Sequence, residues 1–212
     1  MNNPWESIDL DSYEKHMSLA NVYQLQALNE IMKSQFTAYP VHSIMILGIA
    51  GGNGMEHINL AQIKKVYGVD INRDYLDTCT KRYNNLAGVF EPIYADLMAE
   101  DTVLPKADIL IANLLIEYVG YECLEKTIIK VNPMYVSATI QINTNENFVS
   151  DSVYIHAFDR LDEVLHDIEE KELTKCMENI GYTKCLAESI DLPNGKKFVR
   201  VDFNRNLCEG ML

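Results

Sequence analysis

The feature that most constrains this chain is a short apolar run, Ser43-Ile44-Met45-Ile46-Leu47, which stops at the loop Gly48-Ile49-Ala50-Gly51-Gly52-Asn53-Gly54. A brief apolar run bounded by glycine reads as a strand buried on both faces of a parallel sheet. Four of the seven loop residues are glycine, the residue used where a backbone turns sharply or must approach a ligand with no Cβ in the way. In an open α/β sheet, ligands bind beyond the carboxyl ends of the strands. The loop is therefore a candidate ligand cradle, and a bare turn is the alternative.

The rest of the chain repeats the alternation. A helix is expected from a cap at Ser18 to about Gln35, with Val22, Leu25, Leu28, Ile31 and Met32 on one face. Strands follow at Lys65 to Val69, Val89 to Tyr94, Ala107 to Ala112 and Tyr135 to Ile142. Asn72 caps a helix through about Leu86, and Tyr121 to Lys130 and Lys171 to Ile180 read as helical. Leu161, Val164, Leu165 and Ile168 suggest an amphipathic helix in the acidic stretch before Lys171. Two strand-like runs flank Pro193-Asn194-Gly195, and Asn-Gly is a strong hairpin signal. Five strands alternating with helices imply a Rossmann-like, doubly wound α/β fold, mostly parallel, with helices on both faces. The hairpin brings the sheet to seven strands and adds an antiparallel one.

Composition narrows the function classes. With 212 residues, 48% of them hydrophobic, the chain suits one domain with a full core. The formal charge of −13 comes without any basic run, which argues against nucleic acid or an anionic membrane as the main partner. Five scattered cysteines with no CxxC fit a reducing compartment rather than a disulfide framework or zinc site. Met1 to Leu10 lacks the pattern of a signal peptide, and no apolar run approaches the roughly 20 residues of a membrane span. A cytoplasmic location is the expectation. His16, His42, His156 and His166 show no metal-ligand spacing, so no metal is expected.

Three further signals fall at carboxyl ends of strands. Asp70 lies about 20 residues beyond the loop, where a carboxylate can accept ribose hydroxyls, although it can also cap the helix that follows. Ala95-Asp96-Leu97 follows the third strand. Asn113-Leu114-Leu115-Ile116-Glu117-Tyr118 follows the fourth, and Asn113 can also cap a turn. A dinucleotide fingerprint is broken: His57 and Ala50 stand where GxGxxG requires glycine.

The order of glycine loop, acid, Ala-Asp and polar residue, closed by a hairpin, resembles the class I S-adenosylmethionine-dependent methyltransferases over roughly Ser43 to Phe203. The resemblance implies S-adenosylmethionine as cofactor, S-adenosylhomocysteine as product, and methyl transfer to a small-molecule acceptor. It implies cofactor contacts from Gly48, Ala50, Gly51, Gly52 and Gly54, with a branched side chain at Gly52 standing in the cofactor's way. Asp70 would hold the ribose, Asp96 and Leu97 would lie by the adenine, Asn113 would open the floor of the transfer site, and Ile71 would be a further cofactor contact. Gly48 stands where the family often carries an acid, and Ala50 where it carries its first loop glycine. The Pro-Pro that marks amine- and base-methylating members is missing after Asn113.

The resemblance also makes residues 1–40 a helical lid over a domain of residues 41–212. His16 would then meet the substrate, or else lie on a surface helix. Glu117 and Tyr118 are the other candidate bases, with Tyr118 equally readable as core. The acidic stretch Asp159 to Glu172 is either a wall over the acceptor or a solvated face. A cofactor-binding or partner-binding protein without catalysis, on the same fold, is the competing function. The acceptor and the oligomeric state are not legible.

Overall fold

The computed structural model describes residues 3–143, 149–150 and 152–206. Seven strands are present: β1 Ser43–Leu47, β2 Lys65–Asp70, β3 Phe90–Tyr94, β4 Ile109–Asn113, β5 Tyr135–Ile142, β6 Tyr182–Asp191 and β7 Lys197–Arg205. They form one sheet in the order β3-β2-β1-β4-β5-β7-β6. The first five run parallel, and β7 lies antiparallel between β5 and β6. The seven-stranded, doubly wound architecture expected from the alternation is thus observed. Order reverses between β1 and β4, and the ends of those strands open the crevice where such sheets bind ligands.

The helices are α1 Leu10–Ser18, α2 Gln24–Gln35, α3 Arg73–Arg82, α4 Ile116–Val131 and α5 Glu170–Asn179. On one face, Leu124, Ile128 and Val131 of α4 and Leu173 and Met177 of α5 pack on Val136, Ala138 and Ile140 of β5. On the other, Met32 and Phe36 join Leu76 and Cys79 of α3 over Ile44 and Ile46. The β1–β2 crossover carries no α-helix; Met55, Ile58 and Ile63 cover its share of that core from turns and a short 3-10 segment, Met55–His57.

Three expectations need correction. A single helix from Ser18 to Gln35 is not formed: Ser18 ends α1, and α2 starts at Gln24. Tyr23 sits between them in the left-handed region at φ 57°, which breaks the helical path, while Val22 is fully buried in the turn. The stripe from Leu161 to Ile168 is not an α-helix but one 3-10 turn, Leu161–Glu163, followed by irregular chain up to α5; a further 3-10 turn, Ile155–Phe158, precedes it. Leu161 and Ile168 are buried all the same, while Val164 and Leu165 are half-buried. Helix α4 begins at Ile116, five residues before Tyr121, because Gly120 takes φ 74° and ψ 172° and splits off a first turn. The hairpin is closed by Pro193-Asn194-Gly195, with Gly195 at φ 80° and Leu192 N–H donating to the Lys196 carbonyl at 2.8 Å.

Candidate active site

A cleft enclosing about 720 Å³, open mouth included, lies over the carboxyl ends of β1, β2, β3 and β4. Gly48, Ala50, Asp70, Ile71, Asp96, Leu97 and Asn113 all line it. Gly51, Gly52 and Gly54 do not. A Cβ on Gly52 would stand 2.6 Å from Cys79 Sγ on α3, one on Gly54 2.6 Å from Met32 Cβ on α2, and one on Gly51 2.3 Å from Glu14 Oε1. These three glycines let neighbouring elements close on the loop, so a branched side chain at Gly52 would strike α3 rather than enter the cleft.

Asp70 is the electrostatic centre of the cleft. Its carboxylate accepts the Ala50 N–H at 2.9 Å and the Asn72 N–H at 2.9 Å. Burial pushes its pKa above the ordinary carboxylate value, and backbone N–H bonds from Asn72, Ala50 and Ile71 hold back part of that rise. Ala50 adopts φ 48°, in the left-handed region that favours glycine, and its N–H is directed at Asp70. Helix capping after β2 falls to Asn72, whose Oδ1 accepts from Asp74 N–H at 3.0 Å and Tyr75 N–H at 3.2 Å. Asp70 is thus released from the capping role, its carboxylate turned to the cleft. Asp96 is solvent-exposed at the rim and accepts the Met98 N–H at 2.9 Å.

Asn113 is held rather than free. It exchanges two hydrogen bonds of 2.9 Å with Gln35, and Gln35 donates to Ser137 Oγ at 2.8 Å. Ser137 in turn donates to Asp202, which Arg200 meets at 2.5 and 2.9 Å and Tyr39 at 2.9 Å. This buried polar network beneath α2 fixes the end of β4 where it meets the cleft.

The N-terminal segment closes the opposite side. Asn72 Nδ2 donates to the Trp5 carbonyl at 2.9 Å. Arg82 clamps Glu14 at 2.6 and 3.0 Å and also donates to the Gly51 carbonyl at 2.9 Å. Trp5 packs edge-on against Tyr13 and Tyr118, with centroids 5.7 and 4.9 Å away. The buried Trp5 Nε1 and Tyr75 hydroxyl have no hydrogen-bond partner among the described residues, and both residues line the cleft.

A second cavity of about 430 Å³ adjoins the first and shares Trp5, Tyr13, Leu114 and Tyr118 as common wall. His16 reaches it, 3% exposed, with Nδ1 bonded to Ser152 Oγ at 2.8 Å. Burial, and then the charge of Lys196, lowers the His16 pKa. Tyr118 touches both cavities, and burial raises its pKa well above the phenol value. Glu117 lines neither. It is 1% exposed, its Oε1 accepts the Gln141 N–H at 2.8 Å, and burial pushes its pKa up to about 7. Phe158 and Leu161 wall the second cavity, while Asp159, Asp162 and Glu163 beside them point to solvent.

No protein-family model and no curated protein matches the sequence. Solved structures do match the fold. Magnesium protoporphyrin IX methyltransferase from Synechocystis PCC 6803, with bound S-adenosylmethionine, aligns at TM-score 0.68 and 11% identity, covering 97% of this chain and 98% of its own. The N-methyltransferase NodS from Bradyrhizobium japonicum WM9, in complex with S-adenosylhomocysteine, aligns at 0.67 and 8% identity, covering 97% and 100%. The [4+2]-cyclase SpnF aligns at 0.65 and 10% identity, covering 86% and 83%. The chain has the fold of the class I S-adenosylmethionine-dependent methyltransferases.

Within that methyltransferase fold, sequence reasoning missed Trp5, Tyr13 and Tyr75 as cleft residues and Gln35 as the partner of Asn113. Gln35 left a signal: a polar residue on the same helical face as Leu28, Ile31 and Met32. Trp5 and Tyr13 left only an aromatic-rich N-terminus. Among the described residues no group of three or more His, Cys, Asp or Glu side chains is placed to hold a metal ion, and no helix is long and apolar enough to cross a membrane.

Proposed function

We propose that this chain is an S-adenosylmethionine-dependent methyltransferase acting by direct in-line transfer on a small molecule. The observation that carries the reading is the buried Asp70 carboxylate at the end of β2, next to the switch point between β1 and β4, lining a cleft that also holds two buried donors with no partner among the described residues, Trp5 Nε1 and the Tyr75 hydroxyl. Asp70 would accept the ribose hydroxyls, with Ile71 alongside. Asp96 and Leu97 at the rim would meet the adenine. Gly48, Ala50 and Asn113 would border the methionyl part, and the free donors of Trp5 and Tyr75 suit its polar groups or the ribose. Among the described residues, Asp70 and Asp96 are the only charged ones on the cleft wall, which suits a ligand of net positive charge. Bound there, the cofactor supplies an electrophilic methyl group on a sulfonium leaving group.

The protein's part is then positioning and exclusion of water. The network through Gln35 and Asn113 would keep the floor rigid. The segment of residues 3–18 would act as the lid, latched by Glu14 and Arg82. His16 stands beside the second cavity as a neutral imidazole near neutral pH, fit to accept a proton from an acceptor. Tyr118, with its raised pKa, would stay a neutral wall residue. Glu117 has no access to either cavity, which favours a structural role.

The [4+2]-cyclase on the same fold gives a second reading its footing: a methyltransferase fold can serve other chemistry. Turnover decides between the two. Release of S-adenosylhomocysteine with at least one member of a broad panel of hydroxyl, thiol and amine acceptors is expected. Tight cofactor binding with no release across such a panel would favour a non-catalytic binding protein.

A further inference from the structure

Among the described residues, no Asp, Glu, Lys or Arg lines the second cavity. Its walls are aromatic: Trp5, Tyr13, Tyr118 and Phe158, with the His16 ring tilted on Phe158 at 4.9 Å between centroids. His16 and Gln24 bring acceptor atoms that no described residue uses. His16 spends Nδ1 on Ser152, and Nε2 has no partner among the described residues. Gln24, 5% exposed, donates through Nε2 to the Gln141 side chain, and its carbonyl oxygen likewise has no partner among the described residues. An ion entering such a wall would lose its hydration without direct contact with a counter-charge among the described lining residues. A flat ring would gain edge and face contacts with the aromatic walls.

We propose that this cavity takes an uncharged one- or two-ring aromatic compound bearing a hydroxyl group, with that hydroxyl donating to His16 Nε2. The assignment rests on the methyl-transfer reading above, which makes the adjoining cleft the cofactor site and this cavity the acceptor site. Shape selects the ring through Phe158 and Trp5. The absence of charged side chains among the described lining residues selects against carboxylates and amines. His16 selects for a donor hydroxyl.

Trp5 is the only tryptophan of the chain, and it borders both cavities. One indole N–H resonance therefore reports on each site. The test titrates the protein, alone and saturated with S-adenosylhomocysteine, with 2-naphthol, 2-naphthoate and decahydro-2-naphthol, following heat and the Trp5 resonance. The saturated complex should bind 2-naphthol at least about tenfold more tightly than either analogue, with a further shift of the Trp5 signal. His16→Asn keeps an atom for Ser152 and loses the outer nitrogen. It should weaken 2-naphthol about tenfold, the scale of one hydrogen bond, while retaining S-adenosylhomocysteine as a check on folding. His16→Gln should restore part of the loss, and Phe158→Leu should narrow the gap between 2-naphthol and its saturated analogue.

Equal affinity for all three probes would overturn the proposal. So would 2-naphthol binding untouched by both His16→Asn and Phe158→Leu. S-adenosylhomocysteine binding with no naphthol binding would overturn this inference and leave the cofactor reading intact. Naphthol binding to a protein that ignores S-adenosylhomocysteine would support the aromatic site and overturn the cofactor reading.

Discussion

At the scale of single residues, Asp70 and Glu117 show how burial gives two carboxylates different work. Asp70 keeps a wall of the cleft and is held by backbone N–H groups. Replacing it with Asn retains an acceptor for the loop but removes the charge. S-adenosylmethionine affinity should fall by about 1.5–3 kcal/mol, the scale of hydrogen bonds to a charged group; calorimetry that finds no change would remove Asp70 from the site. Glu117 has a pKa of about 7 in the folded protein against 4.5 ordinarily. The native state therefore favours its protonated form. That contribution is complete below about pH 4.5 and is lost as pH rises through about 7. Glu117→Gln should match the parent in acid and exceed it by about 2–3 kcal/mol near pH 8 in urea unfolding. A constant difference across that range would mean Glu117 does not titrate there. At Gly52, φ 81° and the 2.6 Å approach to Cys79 predict that Gly52→Ala loses stability by at least about 1–2 kcal/mol. Thermal unfolding measures this, and a midpoint equal to the parent's would contradict the packing role.

The acids at strand ends were readable because a parallel sheet puts all its carboxyl ends at one edge, so Asp70, Asp96 and Asn113 had to converge. The loop glycines were misread in detail. Sequence shows that Cβ is missing at Gly51, Gly52 and Gly54 but not which neighbour requires it. Ala50, by contrast, looked like a departure and carries the left-handed conformation all the same.

At the scale of elements, the strands were legible to within a residue or two because β1, β4 and β5 are apolar runs with a turn beside them and Asn194-Gly195 marks the hairpin of β6 and β7. The helices were less so. The boundary between α1 and α2 hangs on the conformation of Tyr23, a residue with no glycine-like signal, and the start of α4 was masked by Gly120. The burial of Glu117 followed from that missed turn. The placement of α1 is tertiary, set by Arg82 reaching Glu14 across 68 positions of sequence. Both partners are partly exposed, so the bridge contributes little to global stability, but it ties the segment to the loop. Arg82→Gln should speed hydrogen exchange across residues 10–18 several-fold while leaving the sheet protected. Unchanged exchange there would show that the aromatic contacts alone hold the segment.

At the scale of the whole molecule, the charge of −13 and an all-acid cleft wall act together. S-adenosylmethionine carries a net positive charge and S-adenosylhomocysteine does not. The affinity for S-adenosylmethionine should therefore weaken more steeply between low and high salt, as screening cuts the attraction. Parallel salt dependence of the two ligands would mean the charge of the molecule plays no part in binding. Overall charge spoke clearly in the sequence, but the second cavity did not. It is assembled from Trp5, His16, Gln24, Tyr118 and Phe158, which no local pattern brings together.

The most direct test of the account is calorimetric titration of the protein with S-adenosylmethionine and S-adenosylhomocysteine, beside the Asp70→Asn variant. The account predicts saturable binding of both ligands at one site per chain, weakened in the variant. Heats that show no binding of either ligand would contradict it, and the cleft over β1 and β4 would then belong to a different chemistry.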